Sequence, residues 1–237
     1  MIFFRITDRR ASLHRRRAFT LIELLVVIGL MAGLMAFVIG GFGGGKSASL
    51  QSAQAMVANL VVAARTRAMA SGQSVRLLLQ VDPDSASEPI RYLRYLAIQE
   101  QIGGGWQPVA DAYLPEGVFV LPGNFTVIPA GLLPAEAAST WVRSDGAALR
   151  STVFQNGNIT NETINSAGAE KWVNFLVSAT GTTAQTGSLV LALGVPRPAG
   201  SYAAGESPVV LENPETVRGL KLSQYGVCTL INDRTGF

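Results

Sequence analysis

Histidine is nearly absent from this chain. Of 237 residues one is histidine, His14, and none follows it. From residue 15 onward, nucleophile–histidine pairs and imidazole-ligated metals are therefore excluded. Cysteine is almost as scarce. The single Cys228 rules out an internal disulfide. Tyr225-Gly226-Val227 before it and Thr229-Leu230-Ile231 after it read as a strand, which makes Cys228 a small buried hydrophobe rather than a reactive thiol. Charge is sparse too, at 15% of residues, and unevenly placed. Residues 1–18 carry six Arg and one Asp, so without them the net charge of +3 becomes −2. The basic pI of 9.3 thus belongs to the N-terminus and makes no case for nucleic acid as a partner.

What the chain does have is one long apolar run behind a basic cluster. Arg15-Arg16-Arg17-Ala18-Phe19-Thr20-Leu21-Ile22-Glu23 leads into Leu24–Phe42, 19 residues without a charge. As an α-helix that run spans roughly 28 Å, about the hydrocarbon thickness of a bilayer. The arginines keep the N-terminus in the cytoplasm and send the residues after Lys46 across. The run is too long for the core of a cleaved secretory signal, and no Ala-x-Ala site closes it. A carboxylate at membrane depth needs a partner. No basic side chain follows Glu23 until Lys46, so the partner is the preceding arginines, a newly made N-terminus or another molecule.

Arg17-Ala18-Phe19-Thr20-Leu21-Ile22-Glu23-Leu24-Leu25-Val26-Val27-Ile28 resembles the N-terminal signal of type IV prepilins and type II secretion pseudopilins. The match covers about 25 residues, from the basic leader through the apolar helix. The resemblance implies cleavage between Ala18 and Phe19 by a prepilin peptidase, N-methylation of Phe19, and subunit assembly through Glu23. Ala18 departs from the Gly usual before the cut. A second stretch, Ala64-Arg65-Thr66-Arg67-Ala68 running through Gly72 into Val75-Arg76-Leu77, is similar to the GspH/FimT-like minor pseudopilins. The implied layout is a cytoplasmic leader (1–18), a transmembrane and filament-core helix with a glycine hinge (19–45), and an extracytoplasmic head (46–237). The implied place is the bacterial inner membrane, then a periplasmic or surface filament. The implied partners are the peptidase, other pilins, an inner-membrane assembly platform and membrane lipid.

Along the chain, Gly40, Gly41, Gly43, Gly44 and Gly45 put five glycines in six positions. Each costs about 1 kcal/mol in a helix relative to alanine, so the helix is expected to weaken or break there, as a hinge or linker. It resumes at Ser47, capped by Ser47 or Ser49. Leu50, Ala53, Val57, Leu60, Val61, Ala64 and Ala68 form its apolar stripe, and Gly72 ends it. Val75, Leu77, Leu79 and Val81 then alternate with Arg76 and Gln80 as a strand. Asp82-Pro83-Asp84-Ser85 turns the chain, a second strand covers Ile90–Gln99, and Gly103-Gly104-Gly105 ends it. Five prolines break residues 106–170 into short pieces, with strands near Phe119 and Phe125. Glu170–Ala179 and Ser188–Val195 read as strands joined by a hairpin loop, and Ser207–Leu211 and Val217–Ile231 supply the last. The fold class is α+β, one helix on antiparallel sheet.

The other candidate sites are few. Asp82, Asp84 and Glu88 offer oxygen ligands for Ca²⁺, with a solvated acidic loop as the plainer reading. Arg91 and Arg94 with Tyr92 and Tyr95 suggest a basic–aromatic surface for single-stranded nucleic acid. The near-neutral head argues against it, and nucleic acid is not expected as a partner. Asn158-Ile159-Thr160 and Asn161-Glu162-Thr163 read as a polar loop, and Gly29 with Gly33 as a pair that favours close helix packing. No cofactor, resident metal or catalytic residue is expected. The reading is a structural minor pilin or pseudopilin. The alternatives are a DNA-binding minor pilin of an uptake pilus and an uncut membrane-anchored periplasmic enzyme or sensor.

The mature chain is expected to begin at Phe19. In a host with its own prepilin peptidase, the intact mass of membrane-extracted protein should lack residues 1–18, and Ala18→Gly should be cut at least as fast. A dominant species that retains the leader would contradict this.

Overall fold

The computed structural model describes residues 21–84, 89–123, 129–134, 141–154 and 159–237. The expected cleavage site at Ala18 and Phe19, the ligand candidate Glu88 and the strand near Phe125 lie outside them. The chain divides into two compact units, Met1–Gly43 and Gly44–Phe237. Helix α1 (Leu21–Ser71) is helical throughout, so the expected break at the glycines is absent from the secondary structure. The unit boundary nevertheless falls inside that glycine run. Because the helix continues, Ser49 is not an N-cap: its hydroxyl donates to the Gly45 carbonyl one turn back (2.9 Å). The C-terminal stop is as expected. Gly72 takes φ +66°, a conformation glycine adopts without steric cost, and its N–H reaches the Ala68 carbonyl at 3.0 Å.

In the second unit the stripe Leu50, Ala53, Val57, Val61, Ala64 and Ala68 is fully buried, and Leu60 packs at its margin. Three of these positions are alanine, which lets the helix axis lie close to the strands beneath. Gln54 is the one polar residue buried in the stripe. Its Nε2 donates to the carbonyls of Gly219 (2.7 Å) and Ile231 (2.8 Å), which ties the helix to a sheet by directed bonds.

Two antiparallel sheets make up the rest. The strands are β1 (Val75–Gln80), β2 (Tyr95–Ile102), β3 (Gly105–Tyr113), β4 (Val118–Val120), β5 (Ile159–Glu162), β6 (Glu170–Val177), β7 (Gly187–Pro196), β8 (Val209–Leu211), β9 (Val217–Leu222) and β10 (Cys228–Ile231). The first sheet runs β3-β2-β1-β6-β5; the second runs β10-β9-β7-β4, with β8 on β7. Residues of both sheets share one core with α1.

Several expectations change. The strand β1 is buried along its whole length, Arg76 and Gln80 included, because both of its faces are covered. Val75, Leu77 and Leu79 belong to the core shared with α1, whereas Leu78 packs with Tyr95, Ala97, Ile164 and Trp172 in a second, smaller core. The second strand begins at Tyr95, not Ile90. Residues 89–91 are a 3-10 turn, and Leu93 takes φ +57°, a strained choice for leucine at roughly 1–2 kcal/mol. The backbone bonds of Leu93 explain why it persists. Its N–H donates to Gln80 O (3.0 Å) and its carbonyl accepts from Val120 N (2.8 Å), so this one residue bridges the two sheets.

Gly103 and Gly104, at φ +60° and +84°, do more than end β2. They form the two-residue turn of a hairpin into β3, a nine-residue strand where only fragments were expected. Pro108 is tolerated because β3 is an edge strand. The expected polar loop at residues 158–163 is in its described part the edge strand β5. β6 and β7 do not form a hairpin: the link between them carries the chain from the first sheet to the second. That link is closed on itself by Ser178 N–H to Thr182 O at 2.8 Å, and it is tied to the turn after β9 by Thr183 N–H to Gln224 O at 2.8 Å.

Two outcomes are expected. Residues 46–237, made alone, should unfold in one cooperative transition. Ala64→Leu should destabilise that transition by about 1–3 kcal/mol, because the helix has no room to lift from the sheets. Denaturant titration measures both.

Candidate assembly surface

The first unit presents α1 with nothing described against it. Ile22, Leu25, Val26, Val27, Ile28, Leu30 and Met31 are all exposed, Ile22 at 72% and Leu25 at 65%. These positions fall on every side of a helix with 3.6 residues per turn. A helix that is apolar all round is one that is covered on every side by lipid or by other helices. Among the described residues no helix is long and apolar enough to cross a membrane. The backbone of Leu24–Phe42 lies in α1, but most of its side chains, and that of Glu23, fall outside the description.

The glycine run stands where the first unit meets the second. Of its members Gly45 is described fully: a Cβ there would meet nothing within 4 Å. Packing therefore does not demand glycine at this position. One residue on, Lys46 Nζ reaches Glu212 Oε2 at 2.8 Å, which fastens the start of the second unit's helix to the segment after β8.

Of the candidate metal ligands, Asp82 and Asp84 are described. Among the described residues no group of three potential ligands comes together. The Asp82 carboxylate accepts from Asp84 N (3.3 Å) and Lys171 N (3.3 Å), and Lys171 Nζ lies 3.4 Å from it. Asp84 accepts from Gly205 N at 2.6 Å, so these acids pin loops to each other.

The basic–aromatic surface is overturned outright. Arg91 is 2% exposed and Tyr95 1%, and Tyr92 and Arg94 are also buried. Arg91 donates to the carbonyls of Asn165 (2.9 Å) and Ile164 (2.6 Å), pairs with Glu170 at 3.4 Å, and stacks 4.2 Å over the Tyr95 ring. Tyr95 donates to Asp111 (2.9 Å), receives a bond from Asn165 Nδ2 (2.9 Å), and packs 5.6 Å from Trp172. Arg94 donates to Leu114 O at 2.8 Å. Burial pushes the Tyr92 and Tyr95 hydroxyls up and the Arg94 guanidinium down from their ordinary values. No phosphate or base reaches these groups. Arg91 instead fastens the loop that carries Ile164 and Asn165 over the outer face of the first sheet.

A second buried network escaped the sequence reading. Arg76 donates to Gln99 Oε1 (2.8 Å), pairs with Glu162, and lies 4.3 Å over the Trp106 ring. Arg76 stands between apolar residues in β1, and Gln99 opens the polar run Gln99-Glu100-Gln101 in β2, patterns that read equally as a solvent-facing side. Only the sheet order β3-β2-β1-β6-β5 brings Arg76 to Gln99, Trp106 and Glu162.

No protein-family model matches the chain, and no curated protein matches it. Solved structures do. The minor pseudopilin EpsH from the type 2 secretion system of Vibrio cholerae matches over 78% of this chain and 97% of its own, at 12% identity and a TM-score of 0.37. A second structure of EpsH matches over 78% and 94%, at 16% identity and 0.36. The type IV minor pilin FimU of Pseudomonas aeruginosa matches over 76% and 87%, at 12% identity and 0.35.

Arg91→Ala is expected to destabilise the head by roughly 3–5 kcal/mol, because it breaks a buried ion pair together with two backbone bonds. Thermal unfolding measures the loss, and limited proteolysis should cut first in residues 163–169. A variant as stable as the parent would show that Arg91 is not the fastening.

Proposed function

We propose that this protein is a structural subunit of a pilus-like filament, a minor pilin or pseudopilin assembled through its N-terminal helix. The observation that carries the reading is the all-round exposure of apolar side chains from Ile22 to Met31. A surface of that kind has to be covered. A bilayer covers it in the free subunit and neighbouring helices cover it in a filament. Three further features support the same reading. The basic leader and Phe19-Thr20-Leu21-Ile22-Glu23 supply a prepilin-type processing signal. Helix α1 runs from the apolar segment into the head, where it packs on antiparallel strands. The glycines at 40, 41, 43, 44 and 45 stand at the unit boundary, where a hinge lets one helix serve both lipid and filament.

In this reading a prepilin peptidase cuts after Ala18 and methylates Phe19, and the subunit waits in the inner membrane with its head in the periplasm. The assembly platform then passes it from lipid to the filament, beside other pilins. The head acts as a structural module without catalysis.

Glu23 carries the step from lipid to filament. Cleavage creates a positive amino group at Phe19, about 6 Å away along the helix axis, so a straight helix does not let Glu23 neutralise its own terminus. The terminus of a neighbouring subunit reaches it instead. Glu23→Ala should insert in the membrane as well as the parent, since the helix becomes more apolar. Incorporation into sheared filaments should fall sharply, because the neighbour's charge is left buried without its partner at roughly 3–5 kcal/mol. Filament incorporation equal to the parent's would contradict this role for Glu23.

A further inference from the structure

Strand β3 is an exposed edge of the first sheet, and two aromatic rings lie on its outer face. Its pairing with β2 sets Trp106 opposite Gln101 and Tyr113 opposite Tyr95. At the rise of a strand, that register puts the two rings roughly 20 Å apart. Each ring is backed by a buried group. The Arg76 guanidinium lies 4.3 Å from the Trp106 ring centroid, and the Tyr95 ring lies 4.5 Å from that of Tyr113. Arg76 and Tyr95 are buried, whereas Trp106 is half-buried and Tyr113 exposed. The backing group therefore sits on the sheet side, and the other face of each ring turns to solvent.

Polar groups stand between the rings. Gln99 Oε1 accepts from Arg76 Nε at 2.8 Å, and this fixes the amide's orientation because a guanidinium N–H only donates. Gln99 Nε2 is left as a donor without a partner among the described residues, on a side chain that is 3% exposed. A donor held in that way costs free energy until an acceptor reaches it. Asp111, one row further along β3, is exposed and takes the Tyr95 hydroxyl at 2.9 Å on one carboxylate oxygen. The charge of Arg76 is met by Glu162. β3 itself carries no Lys or Arg.

We infer that the outer face of β2 and β3 binds a neutral oligosaccharide of linked pyranose rings. Trp106 and Tyr113 are its two stacking surfaces, and Gln99 and Asp111 bond the hydroxyls between them. The C–H face of a pyranose packs on an aromatic ring, while its rim hydroxyls both donate and accept. The separation of the rings calls for a chain of several sugars. Other ligands of exposed aromatics fit less well. Nucleic acid needs cations for its phosphates, and Arg76 is already paired. A proline-rich peptide also packs on aromatic grooves, but proline has no N–H to offer Asp111. Rings held from beneath lose little freedom when a ligand stacks on them. The site is borne by the head and does not depend on Glu23 or on filament assembly.

The test uses the full chain in a detergent without a sugar headgroup, titrated with cellohexaose and with chitohexaose. Of the three tryptophans, Trp141 and Trp172 are buried, so a change in emission reports Trp106. At least one hexasaccharide should shift the emission saturably. Calorimetry should show it binding at least tenfold more tightly than its disaccharide, because only the longer chain reaches both rings. Trp106→Ala and Tyr113→Ala should each weaken binding at least tenfold, and Trp106→Phe should weaken it less than Trp106→Ala. Gln99→Glu, which keeps an acceptor for Arg76 and removes the donor, should weaken it too. The inference is overturned if neither hexasaccharide binds saturably, if disaccharide and hexasaccharide bind alike, or if Trp106→Ala leaves binding unchanged. Saturable binding of a proline decamer or of oligothymidylate in place of the sugars would overturn it equally.

Discussion

The close seating of α1 on two sheets at once is the constraint on which the head depends. Ala53, Ala64 and Ala68, buried without remainder, bring the helix near enough for Val57 and Val61 to reach into the strands. Gln54 then fixes the helix in rotation and translation, because its amide holds two carbonyls from two adjacent strands, β9 and β10. A stripe of larger side chains would bury more area but hold the helix off, and the Gln54 bonds would be out of reach. Both sheets share this one core, so the helix works as the rod around which they are assembled.

The remaining cohesion comes from devices that cross between layers. Leu93 accepts an unfavourable backbone conformation so that its N–H and carbonyl can join β1 to β4. Ser151 does similar work from a side chain, donating to Leu121 O and accepting from Val190 N at 2.9 Å. On the outer face of the first sheet, arginines replace a third layer of secondary structure. Arg91 and Arg76 lie over aromatic rings and donate to carbonyls, an amide and carboxylates. Guanidinium groups suit this position because they are flat, more weakly hydrated than ammonium and able to bond in several directions at once. Arg76, Arg91 and Arg94 are thereby withdrawn from solvent and offer no basic surface.

The two units of the chain differ in the surface each presents. The first exposes apolar side chains on every described side. The second has its own core, its own buried polar networks and a surface fit for water. The glycine run between them keeps helical hydrogen bonding, yet it is the place where a helix costs most to maintain.

Much of this was legible in the residue order, and the reason is local. The apolar stripe of α1, the stop at Gly72 and the turn at Asp82–Asp84 depend on spacing along one segment, so period and turn chemistry expose them. The strands near Phe119 and from Glu170, Ser188 and Val217 were readable for the same cause. What the sequence did not settle was decided by pairing between distant segments. Arg76, Arg91 and Arg94 looked like surface charge because nothing local shows that Glu162, Ile164 or Leu114 will arrive to receive them. The crossing from β6 to β7 looked like a hairpin because the loop chemistry is alike in both. Nine ordered residues in β3 were hidden by a proline that only an edge strand accommodates. The buried face of α1 was thus written in the chain itself. Which polar residues are buried, and which strands are neighbours, became fixed only when two sheets closed on one helix.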